Sequence, residues 1–152
     1  MVVNDGEMRN FTSLERDFIL QSREKFEAIL HREGSKNYTF ISSAEEYSGN
    51  PFMGFKNAGA VAENLHEITK GFDLEPKIIV YLRRQDSFFE SLYQQSIRLG
   101  ESHSFEEFFQ KFDESDFNWL QLLDSYAEVF GRKNIVVRRY HPDYLPAENS
   151  LI

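Results

Sequence analysis

Residues 76–99, PKIIVYLRRQDSFFESLYQQSIRL, carry the clearest structural pattern of the chain. The apolar run 78–82 has the length and the β-branched content of a strand that is covered on both faces. Arg83 and Arg84 follow it at once. Ser87, with Glu90 three residues later, forms a capping-box pattern, which predicts a helix that is capped by Ser87 and carries Ser91 in its first turn. The stretch therefore predicts a strand, an arginine-containing turn and a helix.

This arrangement favours an anion site. The free amides of a helix N-terminus, a guanidinium from the strand end and the Ser91 hydroxyl could converge on one phosphate-sized group. The residues alone leave an alternative open, in which Arg83 pairs with Asp86 and Ser91 is a helix residue with no further role.

The rest of the chain alternates between the two types of element. Apolar periodicity, capping signals and breakers predict helices near 13–32, 57–71, 104–112 and 116–130, and strands at 37–42 and 134–140. The helix at 104–112 has a capping-box pattern of its own, formed by Ser104 and Glu107. We therefore expect an α/β fold with a parallel sheet of at least three strands flanked by helices, whose ligands bind at the carboxyl ends of the strands. We expect one domain over 13–145, a disordered N-terminus over 1–12 and an irregular tail over 146–152.

Composition limits the function classes. The net charge of −8 argues against a general nucleic-acid binder or a membrane-surface protein, because both need a basic field. The chain has no cysteine, which excludes disulfides and thiolate sites, and its four histidines lack metal-site spacing, so no metal is expected. No apolar run approaches the roughly 20 residues of a membrane span, and the N-terminus lacks the apolar core of a signal peptide. A cytoplasmic location is the expectation.

A second polar cluster contains Glu45 and Glu46, which follow the predicted strand 37–42. One interpretation is a helix start with a solvated acidic turn. The other is that one of the two carboxylates acts as a general base.

Several segments together resemble a known family. They are IIVYLRRQDSFFESLYQQSIRLG (78–100), SFEEFFQKF (104–112), WLQLLDSYAEVFGRKNIVVRRYHPDYL (119–145) and the upstream FISSAEEYS (40–48). They resemble the central part of bacterial sulfotransferases that use 3'-phosphoadenosine-5'-phosphosulfate. The resemblance implies an incomplete sulfotransferase-like fold of the P-loop NTPase-like kind. It also implies that Arg83 and Ser91 bind the 3'-phosphate of this cofactor or of its product, 3',5'-adenosine diphosphate, with Glu45 or Glu46 as the candidate base.

The sequence also departs from that family. Its members hold the 5'-phosphosulfate with a K-x-G-T-T loop after a first strand, and nothing similar precedes the helix predicted at 13–32. We therefore expect a 3'-phosphate half-site in a chain that is inactive in isolation. The alternative is a truncated fragment or a non-catalytic interaction module, in which a second copy or a partner chain covers an open sheet edge.

Overall fold

The structure is a computed structural model that describes residues 13–33, 39–113 and 116–140. The predictions of a disordered segment at 1–12 and an irregular tail at 146–152 lie outside the described residues. The helices are α1 (Ser13–Glu33), α2 (Ala58–Thr69), α3 (Gln85–Arg98), α4 (Phe105–Phe109) and α5 (Trp119–Phe130), and the strands are β1 (Ile78–Leu82) and β2 (Ile135–Arg139). Short 3-10 turns occupy Glu45–Ser48, Pro51–Met53 and Arg132–Asn134. The described part of the chain is a mixed α/β structure that is mostly helical.

Capping residues mark the ends of two of the helices. Ser104 and Glu107 form the predicted capping box, in which each side chain accepts from the backbone amide of the other residue. At the start of α5, Asn118 accepts hydrogen bonds from two first-turn amides, and Gly131 at φ 82° follows the last residue of the helix. A left-handed φ suits glycine because it has no Cβ.

The sheet is smaller than predicted. Strands β1 and β2 run parallel, in a register that pairs Ile78 with Ile135 and Leu82 with Arg139. The sheet of the described residues has two strands, so the prediction of at least three strands is wrong for this part of the chain. Residues 39–42 of the expected strand at 37–42 form no strand, while 37 and 38 lie outside the described residues. Ile41 is 90% exposed, so the apolar side chains of this segment gain little from burial.

The prediction that β1 is covered on both faces is also wrong. Ile78 packs against the core, but Ile79 and Tyr81 on the opposite face are 61% and 57% exposed. Helix α5 contacts both strands. The apolar sequence of β1 indicated a strand, but the number of covered faces depends on which helices pack beside it.

Phenylalanine side chains form the centre of the core. Phe89 of α3 is 8% exposed, and its ring centre lies 5.0 to 6.1 Å from five other phenylalanine rings. Most of these contacts are edge-to-face, the arrangement that the aromatic quadrupole favours. This cluster joins α3 to α4 and to the segment before α5. Among the described residues, no helix has the length and apolar content needed to cross a membrane.

Candidate functional site

Arg83 lies at the carboxyl end of β1, where the sequence placed the anion site. Its Nε donates a 3.1 Å hydrogen bond to Ser87 Oγ, and its side chain is half-buried. Its backbone is also fixed, because Trp119 Nε1 donates to the Arg83 carbonyl oxygen over 3.1 Å. Within the described residues, no ion pair joins Arg83 to a carboxylate, and Asp86 pairs with Arg84 instead. The two terminal nitrogens of the Arg83 guanidinium therefore remain available for an anion.

Tyr140 adds an aromatic ring to this position. Its backbone amide donates to the Leu82 carbonyl oxygen over 2.8 Å, next to the last register pair of the strands, Leu82 with Arg139. The Arg83 guanidinium carbon then lies 5.7 Å from the centre of the Tyr140 ring, within the range of a cation–π interaction. The candidate site is thus an arginine between a serine hydroxyl and a tyrosine ring.

The predicted N-cap of α3 is wrong by three residues. The helix begins at Gln85, and Arg84 is at the cap position without a capping side chain. Ser87 does not cap the helix with Glu90, because its hydroxyl accepts from Arg83 and donates to the Arg84 carbonyl oxygen over 3.2 Å. Ser91 is consequently the seventh helical residue and lies in the second turn, not in the first.

Asp86 occupies part of the helix N-terminus. Its carboxylate accepts a 2.7 Å hydrogen bond from the Ser87 amide and pairs with the Arg84 guanidinium. The pKa of Asp86 is lowered, first by the Ser87 amide and then by Arg84. One first-turn amide is therefore already occupied by an anion. A second anion at this end of α3 would therefore be held mainly by side chains and less by the backbone amides of the first turn.

Ser91 is exposed, one helical turn beyond Ser87. Residues four apart in a helix share a face, with roughly 5–6 Å between their Cβ atoms. No hydrogen bond between Arg83 and Ser91 is found in the described structure. The geometry puts Ser87 between them on this face, so one phosphate group could be held by Arg83 and Ser91 only by spanning Ser87.

Glu45 and Glu46 lie in the 3-10 turn Glu45–Ser48, and both are exposed. Their carbonyl oxygens accept turn hydrogen bonds from Ser48 Oγ and the Gly49 amide, over 2.8 and 3.0 Å. In the described part of the chain, neither carboxylate forms a hydrogen bond or an ion pair with Arg83 or Ser91. This geometry agrees with a solvated acidic turn and provides no support for a general base.

A further polar cluster lies at the end of α3. It contains a serine of this helix together with a histidine and a glutamate that follow the helix, and the sequence did not indicate that they lie together. His103 Nε2 lies 2.7 Å from Glu101 Oε2 and 3.4 Å from Ser96 Oγ. A catalytic triad needs the two imidazole nitrogens to contact different partners, whereas here one nitrogen faces both. Ser96 is also 1% exposed and donates to the Tyr93 carbonyl oxygen over 2.7 Å. The cluster is therefore structural.

The structure also adds residues that the sequence analysis did not assign to the site. The capping pattern of Ser87 hides its second role, for which the spacing of four residues from Arg83 is the available signal. Tyr140 is the last residue of the segment 134–140 that the sequence predicts as a strand, and only the strand register brings it next to Arg83. No group of three or more histidine, aspartate or glutamate side chains suited to a metal ion occurs in the described ranges.

No family model matches the chain, and no solved structure matches it. An uncharacterized protein from Archaeoglobus fulgidus is 33% identical over 76 residues, which are 50% of this chain and 20% of that protein. The chain thus matches about a fifth of the length of this relative.

Proposed function

We propose that this chain binds the 3'-phosphate of a nucleotide of the 3'-phosphoadenosine-5'-phosphosulfate type, as a half-site related to those of sulfotransferases. The observation that carries the proposal is the position of Arg83. It is half-buried at the carboxyl end of a parallel strand, oriented by Ser87, and has no carboxylate partner in the described structure. Ligands of parallel α/β sheets bind at this edge.

The chemistry of binding follows from the free nitrogens of Arg83. A guanidinium presents parallel N–H groups that match two phosphate oxygens, and such charge-assisted bonds are about twice as strong as neutral ones. Ser91 can add a hydroxyl donor from the same face of α3 as Ser87. Tyr140 offers a flat surface beside the phosphate position, suited to a nucleobase.

Calorimetric titration with 3',5'-adenosine diphosphate tests this proposal, with 5'-adenosine monophosphate as the ligand that lacks the 3'-phosphate. We expect the diphosphate to bind more tightly. Arg83→Ala should abolish this preference, and Ser91→Ala should weaken diphosphate binding about fivefold to tenfold, the effect of one lost hydrogen bond.

Arg98→Ala is the matched control, because Arg98 is an exposed arginine in the last turn of the same helix. It should bind like the wild type. Absence of diphosphate binding by the wild type, or unchanged binding by Arg83→Ala, would refute the proposal.

A second candidate function is a non-catalytic interaction module, and the size of the sheet favours it. In the described residues β1 pairs only with β2, so each strand has one edge without a strand partner. Unpaired edges are templates for association with another chain. Sedimentation velocity tests this candidate: self-association that is lost when Val80→Pro disrupts β1 pairing would support it, provided that circular dichroism shows the helices intact. A monomer at micromolar concentration would count against self-association.

A further inference from the structure

The outer face of the sheet carries an alternating set of tyrosines and arginines. In a parallel pair, register partners lie on the same face, and side chains two residues apart along a strand share that face. Tyr81 is the partner of Arg138 on this face, and Arg83 and Tyr140 each follow one residue after the last register pair, where the Arg83 guanidinium carbon lies 5.7 Å from the centre of the Tyr140 ring. We define the outer sheet face by these four residues together with the more distant apolar pair Ile79 and Val136.

The two tyrosines of this face are accessible. Tyr81 is 57% exposed and Tyr140 is 39% exposed. Neighbouring strands lie about 4.8 Å apart, and same-face residues along one strand lie about 6.6 Å apart. The register therefore places Arg138 next to Tyr81 on the neighbouring strand, and the Arg83 guanidinium lies over the Tyr140 ring.

The charge of the face is also uncompensated. Arg138 is exposed, and the hydrogen bond of its Nη1 goes to the carbonyl oxygen of the preceding Val137, over 3.2 Å. Neither Arg138 nor Arg83 forms an ion pair with a carboxylate in the part of the chain that the structure describes. In a chain of net charge −8, this face is a local basic surface with exposed aromatic rings.

We propose that the outer sheet face binds a dinucleotide, with one phosphate at Arg83 and the second nucleotide on Tyr81 and Arg138. This inference rests on the proposed function for the first phosphate and adds a second subsite to it. An aromatic ring on an open sheet surface stacks a base, and an adjacent arginine neutralises its phosphate. The ligand is short because the overall negative charge repels a long polyanion.

Calorimetry with two ligands tests the second subsite. The probes are 3',5'-adenosine diphosphate and a diadenosine dinucleotide that carries a terminal 3'-phosphate. Stacking of one base contributes about 1–3 kcal/mol by alanine substitution, so the dinucleotide should bind the wild type about tenfold or more tightly than the mononucleotide.

The variants separate the two subsites. Tyr81→Ala and Arg138→Ala should remove the tenfold gain and leave binding of the mononucleotide unchanged, whereas Tyr81→Phe should keep the gain because it keeps the ring. Lys133→Ala is the matched control, since Lys133 is an exposed cation before β2, away from its carboxyl end. Circular dichroism verifies that each variant is folded.

The outcomes distinguish the two proposals. If the wild type binds both ligands equally and Arg83→Ala weakens both, the second subsite is refuted and the proposed function stands. If neither ligand binds the wild type, the proposed function and the second subsite are both refuted. A dinucleotide gain that survives in Tyr81→Ala and in Arg138→Ala would also refute the inference, because the second nucleotide would then bind elsewhere.

Discussion

Arg83 donates from Nε to Ser87 Oγ over 3.1 Å, and this bond determines how the guanidinium faces the end of the sheet. Ser87 is itself held by the Arg84 carbonyl oxygen, to which its hydroxyl donates. The serine therefore acts as a positioning residue: it need not touch a ligand in order to affect the binding of one.

The first prediction concerns Ser87→Ala. Loss of the hydroxyl frees the Arg83 side chain, so binding of 3',5'-adenosine diphosphate should weaken about threefold to tenfold, the effect of one hydrogen bond and of lost preorganisation. Arg83→Lys should weaken it more strongly, because an ammonium lacks the two-pronged geometry of a guanidinium. Calorimetry measures both effects.

Ser125→Ala is the control for this substitution. Ser125 lies in α5 and donates to the Gln121 carbonyl oxygen over 3.0 Å, so it forms a similar helix bond away from the candidate site. Its variant should bind like the wild type. Equal binding by Ser87→Ala and wild type would contradict the positioning role.

The second prediction concerns Arg23, which links α1 to the end of α2. Its Nη1 donates to the carbonyl oxygens of Glu67 and Lys70, over 2.6 and 2.7 Å, and the side chain is 9% exposed. Arg23→Met should lower the free energy of unfolding by about 2–3 kcal/mol, because carbonyl groups at a helix end lose a charged donor. Urea denaturation measures this value.

Lys25→Met provides the comparison for Arg23, since Lys25 is an exposed cation two residues away on α1. Its effect should stay within about 0.5 kcal/mol, as for most surface substitutions. Similar losses in the two variants would show that the bonds to α2 contribute little to stability.

The third prediction concerns the ring cluster around Phe89. Phe89→Ala should lower the free energy of unfolding by about 3–5 kcal/mol, because five neighbouring rings cannot collapse fully into the space that it leaves. Phe18→Ala removes the same side chain at a position that is 59% exposed and should cost far less. Chemical denaturation of the two variants gives the comparison, and equal losses would contradict the central role of Phe89.

The fourth prediction concerns alkaline pH. Burial raises the pKa of Tyr126 from 10.0 to about 12, and its hydroxyl donates to the Tyr47 carbonyl oxygen. Because the pKa is raised in the folded state, the stabilisation that the protonated Tyr126 hydroxyl provides is fully present below about pH 10. It is lost as the pH rises through about 12. Wild type should therefore lose stability relative to Tyr126→Phe across this window.

Urea denaturation of both proteins at about pH 9 and about pH 11 checks the direction, since the other titrating groups are common to the two. The advantage of the wild type over Tyr126→Phe should be larger at the lower pH. A difference that does not change with pH would mean that Tyr126 titrates in the folded protein as it does in the unfolded chain.

Local signals predicted the elements of this protein more accurately than their assembly. The helix predicted at 13–32 is observed at Ser13–Glu33, and the strand predicted at 134–140 is observed at Ile135–Arg139. The capping box of Ser104 is confirmed. Such signals depend on backbone groups and side chains within a few residues of each other, which the sequence lists side by side.

The candidate site could be predicted only in part, because some of its contacts join residues that are far apart in the sequence. The sequence located Arg83 correctly at a strand end, but it assigned Ser87 to a cap and Ser91 to the first turn. The earlier start of α3 changed both positions. The pairing of Arg83 with Tyr140 depends on a register between strands that are more than 50 residues apart, and no local pattern encodes that register.

Short-range patterns were thus sufficient to predict the helices, the two strands and the arginine at the end of β1, because periodicity and capping are properties of short segments. Three features follow only from the tertiary fold: the described sheet has two strands, Ile79 and Tyr81 are exposed, and Arg83 contacts both Ser87 and Tyr140. These are outcomes of packing between distant segments: an apolar strand sequence is compatible with one covered face or two, and the helices that pack beside it determine which.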